Sequence, residues 1–255
     1  MKKAKKIIWG IVILALVLII SAVAVIGLCL DKIVKAGVET VGPKIVHVPI
    51  TVDTINLSLL TGSAKVKNFV IGNPDGYKTP FAIRVGSASV GVNSLTVLSD
   101  KIVVRSIEIH NPEITFEGGL GGNNLGKIMD NVNEVAKSGG PATTNSAAKA
   151  KPAKKIEVDD FIITGAKVHG TIVLFGGKEV ALPSLLIPDI HLKDLGKGGA
   201  GLTPTDLTRA VLQAITSATM KTVSNAAADI GKNMGTLGKQ GLNQIKSGFG
   251  GLFGK

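Results

Sequence analysis

The residues whose types and spacing come nearest to chemistry are Gly121-Gly122-Asn123-Asn124-Leu125-Gly126-Lys127. Two glycines flanking four residues and followed by a lysine match a phosphate-binding loop, where backbone N–H groups cradle the phosphates. That loop also needs a Ser or Thr after the lysine to hold magnesium, and Ile128 stands there instead. No alternation of parallel strands and helices surrounds the run, so nucleotide binding is not expected. His47, His110, His169 and His191 are scattered, with no pair at metal-ligand spacing. Asp159-Asp160 supplies two carboxylates, but adjacent strand residues point to opposite faces and cannot share one substrate. No Ser-His-Asp set stands out. The sequence therefore predicts a protein that is not an enzyme, with no cofactor and no metal.

The element that organises the rest is Ile7 to Leu30, an apolar run without a charged residue. As a helix it would be roughly 36 Å long, enough to cross a bilayer core with some tilt. Lys2, Lys3, Lys5 and Lys6 precede it and Trp9 sits at its first interface, an arrangement that keeps the N-terminus in the cytoplasm. Lys32, Lys35 and Lys44 follow on the other side, tempered by Asp31 and Glu39. A cleaved signal peptide ending at Ala22-Val23-Ala24 fits less well, because the apolar run continues through Val25, Ile26, Leu28 and Leu30. A lipid-modified Cys29 would want a small residue where Leu28 stands. The expectation is an uncleaved single-pass anchor in the cell membrane, with the bulk of the chain on its outer face.

The chain has 255 residues, so about 225 remain for one large domain or two small ones. Aromatic residues make up only 4%, so the core must be aliphatic. The one cysteine lies inside the apolar run and has no disulfide partner. A formal net charge of +11 raises nucleic acid as a partner, but the lysines are spread out. With one Tyr and one Trp there is no stacking platform beside them. Anionic lipid headgroups are the simpler partner for a basic chain tied to a membrane. No nucleic acid is expected, and oligomeric state is not readable.

Residues 1–6 read as a basic cytoplasmic end and 7–30 as the anchor. Asp31 to Lys44 reads as a short exit helix ended by Gly42-Pro43. The hydrophobic period then changes to two, giving strands over Val46–Leu59, Ala64–Ile71, Phe81–Leu98, Ile102–Ile109 and Glu113–Phe116. Asn73-Pro74-Asp75-Gly76 and Asn111-Pro112 mark turns. Leu125, Ile128, Met129, Val132 and Val135 share one helical face and close a first β part at residue 137. Residues 138–155, rich in Gly, Ala, Pro, Thr and Lys, read as a flexible linker. A second β part over 156–200 has strands Ile156–Thr164, Lys167–Phe175, Glu179–Leu182 and Leu185–Leu192, with a hairpin turn at Gly176-Gly177.

One pattern recurs three times. Val66-Lys67-Asn68-Phe69-Val70-Ile71 precedes Asn73-Pro74; Val104-Arg105-Ser106-Ile107-Glu108-Ile109 precedes Asn111-Pro112; Val158-Asp159-Asp160-Phe161-Ile162-Ile163 precedes Gly165-Ala166. Each reads as a strand with a kink or bulge at two polar residues, and copies placed side by side would extend one sheet.

Several stretches, taken together, resemble the AsmA-like family. They are Ile55-Asn56-Leu57-Ser58-Leu59-Leu60-Thr61-Gly62 after the exit helix, Asn68 to Tyr77, and Ile107 to Ile114. Asn123-Asn124-Leu125 before a helix, Leu182-Pro183, and Ile187 to Gly196 are similar too. The likeness is to a short member, kin to the TamB-type lipid-transfer proteins but without the many added strands of long ones. The resemblance implies an inner-membrane anchor in a two-membrane bacterium, a periplasmic β-rich groove, and a role in phospholipid traffic or outer-envelope assembly.

The fold expected is α+β and mainly β: a transmembrane helix, a curved, mostly antiparallel sheet with an apolar inner face, and C-terminal amphipathic helices over 201–255. Thr203, Pro204 and Asp206 open the helix, and Leu207, Val211, Ala214, Ile215, Ala218, Thr222 and Val223 form its face. In the basic tail, Leu242, Ile245, Phe249, Leu252 and Phe253 recur at helical spacing, a face that suits a membrane interface and equally suits simple packing on the body. The inner face of the sheet, represented by Val66, Ile71, Val90, Val104, Ile109 and Ile163, is expected to shelter phospholipid acyl chains. The same alternation also fits a sealed core, and a membrane-tethered scaffold for other envelope proteins is the alternative function.

Overall fold

The computed structural model describes residues 30–58, 60–119, 122–140, 154–173, 177 and 179–250, with side chains as far as residue 232. The expected anchor 7–30 therefore lies outside the described residues except for Leu30, as do Lys2, Lys3, Lys5, Lys6 and Trp9. Most of the expected linker, residues 141–153, lies outside them too. Among the described residues no helix is long and apolar enough to cross a membrane.

The chain folds as α+β, mainly β, with a sheet curled into a half-barrel and a long C-terminal helix. Helix α1 covers residues 30–46. Among the described residues ten strands follow: β1 (Ile50–Ser58), β2 (Ser63–Ile71), β3 (Ile83–Val92), β4 (Lys101–His110), β5 (Glu113–Gly119), β6 (Gly122–Asn123), β7 (Lys155–Thr164), β8 (Lys167–Val173), β9 (Glu179–Leu186) and β10 (Ile190–Leu195). Helix α2 (Asn124–Lys137) separates β6 from β7, and α3 (Pro204–Gly250) ends the described chain.

All ten strands join one sheet. Strand β1 pairs with β2 and β2 with β3; β3 then serves two wings. Its second half pairs with β4, and Ile83 and Arg84 of its first half pair with β5. One wing continues from β4 to β7 and β10, the other from β5 to β8 and β9. The pairing is mostly antiparallel, but β4–β7 and β5–β8 are parallel. Since β7 and β10 pair into the sheet that β1–β5 begin, the stretches before and after 141–153 share one sheet.

The repeat explains the curl. Copies two and three lie in parallel register, Val104 beside Val158, Ile107 beside Phe161 and Ile109 beside Ile163. Their turns stack as well: Asn111 N–H donates to Thr164 O (2.8 Å) and Lys167 N–H to Pro112 O (3.0 Å). Asn111 (φ 50°) and Gly165 (φ 65°) both take the left-handed conformation that turns a strand sharply. Ile187 N–H extends the corner line to Ala166 O at 2.8 Å. The sheet thus folds along one hydrogen-bonded line.

The polar pairs mark where alternation changes phase. Asn68 is left-handed (φ 48°) within β2, and Arg105 is the extra residue where β4 slips against Gly91 and Val92 of β3. In β2 the left-handed Asn68 breaks the alternation without a slip, since β2 keeps one register with both β1 and β3, and Val66 and Phe69 line the same chambers despite their odd spacing. Copy one is not stacked on the other two: β2 lies on the far side of β3.

Three expected boundaries move. Helix α1 runs past Gly42-Pro43 to residue 46, because Ile45, Val46 and Val48 are buried (3%, 1% and 3% exposed) and hold the last turn in the core. It ends at His47, left-handed at φ 54°, whose N–H donates to Pro43 O at 2.9 Å. The long strand expected over 81–98 stops at Val92, where Asn93 caps a short 3₁₀ turn (Ser94–Thr96). Strand β9 continues through Pro183, which a terminal strand tolerates on its unpaired edge, and the break falls at 187–189.

Helix α3 opens as its sequence indicates, with Asp206 N–H donating to Thr203 Oγ1 (3.0 Å). It then runs unbroken to Gly250, about 70 Å at 1.5 Å per residue. Its buried stripe is Leu212, Ile215, Thr219, Val223 and Ala227, turned slightly from the face expected, with Leu207, Val211, Ala214 and Ala218 half-buried beside it.

Candidate functional site

The concave side of the sheet is a trough with an apolar wall. One chamber, of about 420 Å³, lies between Phe69, Ile71, Ile83, Val85, Ala88, Ile107, Ile109, Ile114, Phe161 and Ile163 of the strands and Leu207, Val211, Leu212 and Ile215 of α3. A second, of about 350 Å³, runs along Leu30, Val34, Val52, Ile55, Leu57, Ala64, Val92, Val97 and Ile102. Val38, Val66, Phe69 and Val90 line both, so the chambers adjoin. Both are within the usual size of small-ligand pockets, roughly 300–1,000 Å³. Almost every group facing them is a hydrocarbon side chain, so water gains few hydrogen bonds there and an apolar guest is favoured.

Five of the six expected lining residues, Val66, Ile71, Val90, Ile109 and Ile163, border these chambers. Val104 does not. It is buried beside its β7 partner Val158 (8% and 0% exposed), where the core closes over both. Sequence reasoning misses the α1 contribution, Val34 and Val38, although the helical spacing of Ile33, Val34, Val38 and Val41 is a signal for it. It also misses Phe69, Ile107 and Phe161, which occupy the fourth place of each repeat.

Polar groups hold the trough's rim in shape. Strand β1 is an edge strand, and α1 satisfies its open backbone with side chains one turn apart. Asp31 Oδ1 accepts from Leu57 N–H (2.7 Å) and Glu39 Oε1 from Val52 N–H (3.0 Å). Lys35 Nζ donates to the carbonyls of Val52 and Asp53. These side chains act as a substitute neighbouring strand, which protects the edge and fixes α1 along the trough.

At the corner, Asn124 is fully buried and forms three hydrogen bonds. Its Nδ2 donates to Asn73 Oδ1 (2.8 Å) and Thr115 O (2.7 Å), and its Oδ1 accepts from Glu117 N–H (3.0 Å). Glu117 in turn accepts from Lys78 N–H (2.6 Å), Thr79 N–H (2.9 Å) and the Thr79 hydroxyl (2.8 Å). Burial by itself would raise the Glu117 carboxyl, but these donors and the Lys78 charge together hold it below the ordinary value. Next to it, burial and then the Glu117 charge push the Tyr77 phenol up.

The glycine-rich run gives a capped helix start. Gly121 lies outside the described residues, Gly122-Asn123 form β6, and Asn123 Oδ1 accepts from Gly126 N–H at 2.9 Å. A side-chain oxygen thus occupies a donor that a phosphate would use. Among the described residues no group of three His, Cys, Asp or Glu could hold a metal. His191 Nε2 pairs with Asp160 Oδ1 (2.6 Å) and Lys197 Nζ lies 3.9 Å from Asp159 Oδ1, so the two carboxylates have separate partners. The side chains of Leu242, Ile245 and Phe249 lie outside the described set, and Leu252 and Phe253 lie outside the described residues altogether.

No family model matches this chain, and no curated protein matches it.

Proposed function

We propose that this chain is a membrane-anchored, AsmA-like periplasmic protein that shelters lipid acyl chains in its trough. In this role it contributes to phospholipid transport or to assembly of the outer envelope. The observation that carries the reading is the pair of adjoining chambers on the concave face, walled almost wholly by hydrocarbon. A hydrocarbon tail entering them leaves water at a gain of about 0.8 kcal/mol per CH₂. Headgroups stay at the polar rim. The apolar, charge-free run 7–30 supports the anchor, and the lysines before it support a cytoplasmic N-terminus.

The test is photo-crosslinking from inside the trough. A photoreactive residue in place of Val90 or Ile109 should yield lipid adducts by mass analysis. One in place of Ser89, exposed on the convex side of the same strand, should not. Protein adducts alone from the trough positions would favour the scaffold, with other envelope proteins as its partners.

A further inference from the structure

Three leucines at one end of the trough are left bare by the described residues. Leu60 is 88% exposed, Leu95 90% and Leu98 87%. Leu60 sits in the turn between β1 and β2, and Leu95 and Leu98 in the loop between β3 and β4. These loops are neighbours: Gly62 O accepts from Val92 N–H at 2.7 Å and from Arg105 Nη2 at 3.3 Å. Single exposed leucines are ordinary on a folded surface, whereas three nearly bare ones on adjoining tips mark a contact.

The same end is where the apolar run arrives. Leu30 is its last residue and lines the smaller chamber together with Gly62, Ser94 and Val97. Asp31, the next residue, caps Leu57 near the end of β1. A segment long enough to cross a bilayer therefore ends beside the leucine tips and beside the chamber they surround. Lys154 adds a cation at the base of the loop, its Nζ donating to Val97 O at 2.7 Å. Among the described residues the other leucine exposed by more than half, Leu186 (66%), stands at the corner line instead. Strand β7, about 30 Å long for its ten residues, runs from beside Val97 to that corner line.

We infer that Leu60, Leu95 and Leu98 form a three-point foot that seats this end of the body in the headgroup–acyl boundary of a bilayer. The smaller chamber is thereby held against the lipid surface. This rests on the anchored reading above and specifies how the trough meets its membrane. Apolar tips leave water on seating, and the anchor emerging alongside keeps them at the interface. A tail passing between bilayer and chamber then need not cross open water.

Site-directed spin labelling of the full chain tests it. In a Cys29→Ser background, Leu60→Cys, Leu95→Cys, Leu98→Cys and the control Leu186→Cys are labelled singly and reconstituted into vesicles of phosphatidylethanolamine and phosphatidylglycerol. The three tip labels should favour oxygen over a water-soluble nickel chelate several-fold more than the Leu186→Cys label. Chelate access equal to that control overturns the foot. So does tip-label broadening that disappears on dilution with unlabelled chain, which would mark a contact between copies. Trough lipid adducts with wet tips remove the foot and leave the carrier function standing. Lipid-immersed tips without adducts do the reverse.

Discussion

Gly170 shows how closely the paired strands constrain single residues. It takes φ 137° on β8, and a Cβ there would lie 1.9 Å from Phe116 O and 2.9 Å from Phe116 C. Those atoms are backbone of the parallel partner β5 and cannot move without opening the pair. Gly170→Ala should therefore destabilise the fold by about 2–4 kcal/mol, seen as a lower thermal midpoint. Glu117 acts through charge. Replacing it with Gln weakens three accepted hydrogen bonds and should cost about 1–2 kcal/mol near neutral pH. Because the folded carboxyl lies below its unfolded value, its contribution is present above the unfolded value, about pH 4.3, and fades as pH falls through the lower folded one. Melting curves of wild type and Glu117→Gln should thus converge in acid. A gap unchanged below about pH 4 would detach the effect from ionisation.

At the scale of elements, α1 is the piece that both shields an edge and walls the trough. Removing Asp31 and Glu39 together as alanines leaves the Leu57 and Val52 N–H groups on an open edge. Amide exchange at those two positions should rise about ten-fold or more while that of Ile114 and Val168 in the opposite wing stays slow. Uniform acceleration would show that α1 supports the whole sheet. This element also shows what the sequence could reveal. Its spacing of Ile33, Val34, Val38 and Val41 is legible as a helix, but its end is not. Local propensity stops a helix at Gly42-Pro43, and only the burial of Ile45 and Val46 against distant strands carries it on. The repeat is legible as strands with a phase change at two polar residues, because a break in a period-two pattern leaves a trace in the order of apolar residues. Its parallel pairing in copies two and three is not, since alternation carries no information about which neighbour a strand takes. For the same reason the inner face can be identified as apolar, while Val104 in the sealed part cannot be told from Val90 beside the open part.

On the scale of the whole molecule, helices pack against the half-barrel, and a complete cover would make its inner side a sealed core. They leave two adjoining chambers instead, walled by Val38 of α1 on one side and by Val211 and Leu212 of α3 on the other. The function argued for depends on that space being usable by a hydrocarbon chain. The most direct measurement compares lipid bound to the purified full chain with lipid bound to a variant in which the shared wall is filled, Val90→Phe. Overpacking at this half-buried site should cost no more than about 1–3 kcal/mol, so the variant remains folded. Quantitative lipid mass analysis should find phospholipid on the wild-type chain, crosslinkable from Ile109, and a several-fold loss on Val90→Phe. Equal lipid on both chains, with no adduct from Ile109, would contradict the account.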